Sequence, residues 1–234
     1  MIDFHTHLLP QMDDGSSSVE MSLRLCAMLK EQGIGLAAAT PHFYASGKES
    51  IPAFLARRDA AFAQLQGATG TDGLRLLRGA EVGYYDGMYA SEDLRKLCLE
   101  GTNLLLVEMP FSEWPAHVLR EFTQMYDKGL QVVLAHIDRY LFQKDRVFDT
   151  LSDMGVLFQM NADALLRAGT RRKLLRMFQR GQIAFLGSDC HNDTTRAPKI
   201  GEAVQLLRTK LGEDAIGHLE SAESFFITDR ERAR

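Results

Sequence analysis

The chain has 234 residues, of which 45% are hydrophobic and 25% charged. This is the composition of an ordinary folded domain, which excludes a disordered chain, a fibrous repeat and a bundle of membrane helices; a chain this long buries about 70% of its unfolded surface without disulfides. Lys and Arg number 27 against 31 Asp and Glu, and the formal net charge of −4 argues against an electrostatic nucleic-acid binder, which would carry a basic stripe.

The first apolar run, Ile2–His7, reads as a strand. Ser16–Ser18 offers an N-cap for a helix through Gln32, and Gly33 stops it. A strand over Ile34–Thr40, a helix over Ile51–Gln66 and strands over Leu74–Glu81 and Asn103–Glu108 follow. Then come a helix at Trp114–Lys128, a strand at Leu130–His136 and a helix at Leu141–Met154. A strand at Val156–Asn161, a helix at Thr170–Arg180, a strand at Ile183–Asp189 and a helix at Ala197–Leu211 complete the series. The pattern beyond about Asp214 assigns no element. Strands alternating with helices predict βα units on a parallel sheet, and right-handed crossovers leave an open doubly wound sheet or a closed barrel. No Pro/Gly/Ser-rich linker splits the chain, so one domain over residues 1–234 is expected. Arg171, Arg172, Lys173 and Arg176 form a basic run that reads as a solvated helix face.

Cys26, Cys98 and Cys190 are odd in number and far apart, so a disulfide framework is not expected. The opening Met-Ile-Asp-Phe-His-Thr-His shows neither the basic nor the apolar region of a signal peptide, and no apolar run reaches about 18 residues. A cytoplasmic location without membrane insertion is the expectation.

Chemistry-bearing residues gather at the strand ends. Of seven histidines, five (His5, His7, His42, His136 and His191) fall at or just past the end of a predicted strand. Glu81, Glu108 and Asp189 take the same position, and Asp14 lies in the loop after the first strand. His117 and His218 do not, and read as surface or packing residues. Ligands bind at the carboxyl ends of strands in parallel α/β folds. A lone histidine there means little, and a single His-x-His is as often a surface or core pair. Nine such groups together are hard to satisfy without a cation. His5 and His7 are two apart and share a strand face; Asp189 and His191 repeat that spacing. In a closed barrel the first and last strands meet and the two pairs converge. Imidazole with carboxylate suits Zn, Mn or Fe, and alternation turns Cys190 away from the set. Arg139 and Arg196 lie within seven residues of a candidate ligand. Their planar forks match phosphate oxygens, although either alone is more often a surface residue.

Ile2-Asp-Phe-His-Thr-His7, Asp13-Asp14-Gly15, Thr40-Pro41-His42, Gly79-Ala80-Glu81, Glu108, Ala135-His136-Ile-Asp-Arg-Tyr140 and Ser188-Asp189-Cys-His191-Asn192 resemble the PHP superfamily. More narrowly, they resemble its bacterial manganese-dependent protein-tyrosine phosphatases of capsule and exopolysaccharide gene clusters. The resemblance covers residues 1 to about 200, and Phe43, Cys190 and the run Ser224–Asp229 depart from it. It implies a distorted (β/α)7 TIM-like barrel and three divalent metal ions, manganese above all, with Zn or Fe also compatible. His5, His7, Glu81 and Asp189 would hold one ion. Glu81 would bridge to a second with Glu108 and His136, and Asp14, His42 and His191 would hold the third. Arg139 and Arg196 would contact phosphate. The implied substrate is a phosphotyrosine protein, such as the tyrosine-rich tail of a polysaccharide-export kinase. The expected reaction is in-line attack of an activated water on phosphorus, with no phosphoenzyme.

Aromatic residues near these ligands (Phe43, Tyr44, Tyr84, Tyr85, Phe111 and Trp114) are candidate walls for a phenyl ring or plain loop packing. A rival reading takes Cys190 through Arg196 as the Cys-x5-Arg loop of a thiolate phosphatase, but this stretch has no glycine and sets Asp193 against the phosphate. Histidinol-phosphate hydrolysis would share the metal logic. Nuclease activity is disfavoured by the net charge, and a metal-holding module without turnover is the non-enzymatic alternative.

Overall fold

A computed structural model describes residues 1–45, 47, 49–68 and 73–228. In chain order the elements are β1 (Ile2–Thr6), α1 (Val19–Glu31), β2 (Leu36–Ala39), β3 (His42–Phe43), α2 (Ile51–Gln66), β4 (Arg75–Arg78) and β5 (Glu81–Gly83). They continue with β6 (Leu104–Glu108), α3 (His117–Asp127), β7 (Gln131–Leu134), α4 (Asp145–Asp153), β8 (Leu157–Asn161) and α5 (Ala162–Leu166). The last are α6 (Ala168–Gln179), β9 (Ile183–Gly187), α7 (Ile200–Leu211) and α8 (Glu213–Glu223). Ser18 is the N-cap of α1, its hydroxyl accepting from Met21 N at 3.2 Å.

All strand pairs are parallel, in a three-stranded sheet ordered β1-β2-β4 and a six-stranded sheet ordered β3-β5-β6-β7-β8-β9. Neither sheet closes on itself, but two seams join them. At one, Asp189 N donates to His5 O at 2.8 Å and His7 N to Cys190 O at 3.0 Å, bringing β1 beside the end of β9. At the other, the chain runs from β2 into β3 and from β4 into β5; the predicted Ile34–Thr40 strand is β2 alone, with β3 beyond its end, and the predicted Leu74–Glu81 strand is β4 with the first residue of β5. The α/β class is as expected, and the sheets form a distorted barrel. The break shifts Glu81 from the end of a strand to the start of β5, where it pairs with His42.

Leu104 and Leu106 join a smaller apolar cluster with Ile2, Phe4, Val133 and Phe185, whereas Leu105 and Val107 pack in the larger cluster among the helices. By the same alternation Glu108 shares the smaller cluster's face, so that cluster fills the inside beneath the carboxylates. Strict alternation after Phe4 would turn His5 away from this face. β1 has one extra residue against β2 between Asp3 and Thr6, since Asp3 pairs with Ala37 and Thr6 with Ala39. A bulge of this kind re-aims side chains beside a site, and here His5 and Phe4 both face inward.

The segment beyond Asp214, unassigned from sequence, forms α8 and a helical turn over Ser224–Thr228. Its Phe226 and Ile227 join the inner cluster, and Glu223 accepts from Ile2 N at 3.0 Å. The tail therefore plugs the end of the barrel opposite the strand carboxyl ends. Asp229, at the end of the divergent run, lies outside the described residues. The predicted single domain through residue 234 likewise includes residues outside them. The basic run lies on α6, where Arg171 donates to Leu165 O and Lys173 pairs with Asp145. Among the described residues no helix is long and apolar enough to cross a membrane.

Candidate metal centre

The nine metal-type side chains predicted from sequence meet at one end of the barrel, with Glu81 at the middle. Its Oε2 lies 3.2 Å from His5 Nε2, 3.2 Å from His7 Nε2 and 3.0 Å from His42 Nδ1, and its Oε1 lies 2.7 Å from His136 Nε2. Glu108 Oε1 is 3.4 Å from His136 Nε2. Asp189 Oδ1 stands 3.5 Å from His7 Nε2 and 3.9 Å from His5 Nε2. Asp14 Oδ1 lies 3.3 Å from His191 Nε2 and 3.6 Å from His42 Nε2. Three overlapping groups of donors result: His5, His7 and Glu81; His42, Glu81 and Glu108; and His7, Asp14, His42 and His191. His7 and His42 each join two groups, so the divisions are less sharp than the resemblance implied.

These donors fit divalent cations and are poorly satisfied by one another. Glu81 is 1% exposed, yet among the described residues its Oε2 finds no hydrogen-bond partner although three ring nitrogens surround it. The Nε2 atoms of His5 and His7 face each other at 3.0 Å. His191 Nε2 is buried and, among the described residues, has no hydrogen-bond partner. Desolvating an ion without a partner costs several kcal/mol, and a cation amid these oxygens and nitrogens removes that cost. Oxygen and imidazole without thiolate match Mn, Fe or Zn.

A second layer of polar residues orients this set. Asp13 Oδ2 accepts from His7 Nδ1 at 2.7 Å and from His42 N at 2.9 Å. Gln159 Oε1 lies 3.2 Å from His5 Nδ1 and accepts from His136 N at 2.6 Å. Asn161 Nδ2 donates to Asp189 Oδ2 at 2.9 Å. Such partners fix ring orientation and ligand basicity. Gln159 and Asn161 escaped the sequence analysis. The signal that would have found them is two buried polar residues two apart on one strand, the spacing of His5 and His7. Gly15 allows the loop to close over His7, since a Cβ there would lie 2.3 Å from His7 O. His136 and Asp189 hold φ of +32° and +52°. Left-handed backbone at non-glycine residues costs of order 1–3 kcal/mol each and clusters at functional sites.

Arg139 and Arg196 grip one carboxylate from two sides. An Arg139 guanidinium nitrogen bonds Asp189 Oδ2, and Arg196 Nη2 donates to Asp189 Oδ1 at 2.9 Å. Both line a cavity of about 270 Å³ with Asn161, Arg167 and Lys199. Cys190 is 1% exposed, and burial, the dominant cause, pushes its thiol well above the ordinary range. A buried protonated thiol is no nucleophile, which removes the Cys-x5-Arg reading. Phe43 is buried in the core and cannot wall a substrate. Tyr44 stacks on His42, donates to Glu108 Oε2 at 2.7 Å and lies over Gly83, where a Cβ would come within 2.4 Å of its ring. Phe111 is exposed, and its ring and that of Trp114 pack against Tyr140. Tyr84 and Tyr85 pack against the core. His218 bonds Ile183 O, as a packing residue would, whereas His117 pairs with Asp86 at 2.8 Å.

Burial opposes protonation of His7 and His136, but carboxylates outweigh it. Asp13 and Glu81 raise His7 to about 10, and Glu108 and Glu81 raise His136 to about 9. Burial and the neighbouring His7 charge lower His191 to about 4. Without cations His7 and His136 therefore hold protons at neutral pH, and a bound ion must displace them. Raised folded values mean stability that is fully present below the unfolded value of 6.5 and lost as pH rises through about 9 to 10. The unfolding midpoint of metal-free protein should fall across that window while metal affinity rises. Thermal melts with and without chelator check this, and a metal-free midpoint that climbs from pH 7 to 9.5 would contradict it.

The profile of the capsular polysaccharide synthesis family CpsB/CapC matches residues 1–225. Tyrosine-protein phosphatase YwqE of Bacillus subtilis is 31% identical over 225 residues, covering 92% of this chain and 86% of the relative. Tyrosine-protein phosphatase CpsB of Streptococcus agalactiae is 25% identical over 238 residues, covering 96% and 97%. A solved structure from work on B. subtilis YwqE and Streptococcus pneumoniae CpsB, described as metal-dependent tyrosine phosphatases, superposes with a TM-score of 0.84 at 29% identity, covering 96% of this chain and 93% of the other. The histidinol phosphate phosphatase of Lactococcus lactis shares the fold alone, at 13% identity and a TM-score of 0.56 over 94% and 93% of the two chains. With the match running over residues 1–225, nearly the whole length, the chain belongs to the CpsB/CapC family of capsular polysaccharide synthesis.

Proposed function

We propose that this protein is a metal-dependent phosphatase that hydrolyses phosphotyrosine in proteins. The observation that carries the reading is the meeting of nine metal-type side chains around Glu81, beside two arginines anchored on Asp189. The relatives named tyrosine-protein phosphatases support the substrate class. His5, His7, Asp14, His42, Glu81, Glu108, His136, Asp189 and His191 are the proposed ligands of three divalent ions, Mn²⁺ before Zn²⁺ or Fe. Arg139 and Arg196 are the phosphate-contacting residues. One domain over residues 1–234 acts in the cytoplasm, on a target such as the tyrosine-rich tail of a polysaccharide-export kinase.

Bound ions would supply charge neutralisation for the phosphoryl oxygens and lower the pKa of an attacking water. The chain's own residues do the rest. Arg139 and Arg196 receive the phosphoryl group in the cavity beside Asp189, and their forks fix its orientation for in-line displacement. Asp13, Gln159 and Asn161 hold the ligands in place, so the site need not reorganise during reaction. The phenolate is a fair leaving group, because its conjugate acid has a pKa of about 10.

Phosphate release from a phosphotyrosine peptide, measured after chelation and again after Mn²⁺ is restored, tests the reading. Activity should fall to background and return. Activity that survives thorough metal removal would overturn it, and a strong preference for histidinol phosphate over the peptide would reassign the substrate.

A further inference from the structure

Asp86, His117 and Glu121 come together outside the nine-donor centre. Asp86 lies in the loop after β5, and His117 and Glu121 lie four apart, on one face of α3. Each offers a ligand atom, and the three atoms lie within 4.8 Å of one another. His117 Nε2 stands 2.8 Å from Asp86 Oδ1, which also accepts from Tyr84 OH at 3.2 Å. Glu121 is an unusual member, being only 8% exposed. Its Oε1 accepts from Gly87 N at 2.9 Å, and among the described residues its buried Oε2 has no hydrogen-bond partner, the neighbouring Tyr84 hydroxyl being bonded to Asp86. A buried carboxylate oxygen without a partner calls for an explanation, and here it sits within reach of an imidazole and a second carboxylate.

We infer that Asp86, His117 and Glu121 form a separate site for a divalent transition-metal ion such as Zn²⁺. The two carboxylates balance the charge of such an ion, and the imidazole selects against Ca²⁺ and Mg²⁺. Water completes the coordination on the exposed Asp86 side. None of the three donors belongs to the groups around Glu81, so the site fills independently of the main centre. An ion here clamps the Tyr84–Gly87 segment onto α3. That segment directly follows β5, which begins with Glu81, and Tyr84 N donates to Glu108 O at 2.8 Å. The clamp therefore stiffens one wall of the main centre without touching substrate. It does not depend on the phosphatase reading.

Full-length protein stripped with chelator and dialysed against Zn²⁺ tests this, with bound metal counted per chain. Wild type should bind one equivalent more than His117→Ala or Glu121→Gln. Gln at 121 still accepts from Gly87 N, so folding is preserved. Asp86→Asn, at an exposed position, provides a second variant and should weaken the extra site by at least about tenfold. The extra equivalent should persist in Glu81→Gln, whose main centre is disabled, which separates failure of this site from failure of the other. His117→Ala, Glu121→Gln and Asp86→Asn should keep phosphatase activity once the main centre is loaded. Equal metal content in wild type and Glu121→Gln would overturn the inference.

Discussion

Glu81→Gln is expected to lower kcat/KM for a phosphotyrosine peptide by at least roughly a thousandfold, about 4 kcal/mol of transition-state stabilisation. Glutamine keeps the volume and one acceptor oxygen but loses the negative charge that four imidazoles surround. Its amide hydrogens would face the ring nitrogens of His5, His7 and His42, which lie 3.0–3.2 Å from Oε2. A site this buried offers no water to compensate, so the loss is felt in full. Because Glu81 stands between donors on β1, on β3 and after β7, bound metal should fall together with turnover. Metal analysis alongside initial rates checks both, and a variant within tenfold of wild type would refute the central role of Glu81.

Arg139→Ala should cost on the order of a hundredfold in kcat/KM while metal content stays at the wild-type level, the size expected when one preorganised donor to a developing anion is removed. The Arg139 guanidinium is held by Asp189 on one side and lies 3.7 Å from Glu108 Oε1 on the other. The fork is therefore fixed before substrate arrives. Nearby carboxylates outweigh burial and raise its pKa, so it stays charged throughout. Lysine cannot reproduce a two-pronged contact, so Arg139→Lys should restore little. Arg196 is more exposed and shares the same carboxylate, so the loss in Arg196→Ala should be smaller. Steady-state kinetics on the three variants decides the matter; unchanged kcat/KM in Arg139→Ala would remove it from phosphate binding.

Strand and helix order were readable in the chain because periods of two and 3.6 are local properties of a few residues. α2 was placed at its observed bounds, and the N-cap of α1 fell on Ser18, within the predicted Ser16–Ser18. The α8 segment was missed because its stabilisation is remote: Glu223 reaches Ile2, and Phe226 and Ile227 fill the barrel end. Likewise, the residue types at strand ends were visible as a pattern, since a parallel βα chain brings those ends to one side. Their meeting was expected only if the barrel closed. It depends on the extra residue in β1 that turns His5 inward and on the seam that sets Asp189 beside His5.

The same division explains His117 and Cys190. From sequence, His117 reads as a surface or packing residue and Cys190 as turned away from the donor set. Tertiary packing bears out both readings and gives them partners, setting the surface imidazole against Asp86 beside Glu121 and sealing the thiol in the core. The chain specifies which donors and charges are available, because composition and spacing are written residue by residue. Which of them lose water and which stand within bonding distance is settled only when distant segments pack, because desolvation and Coulomb energy depend on separation in space.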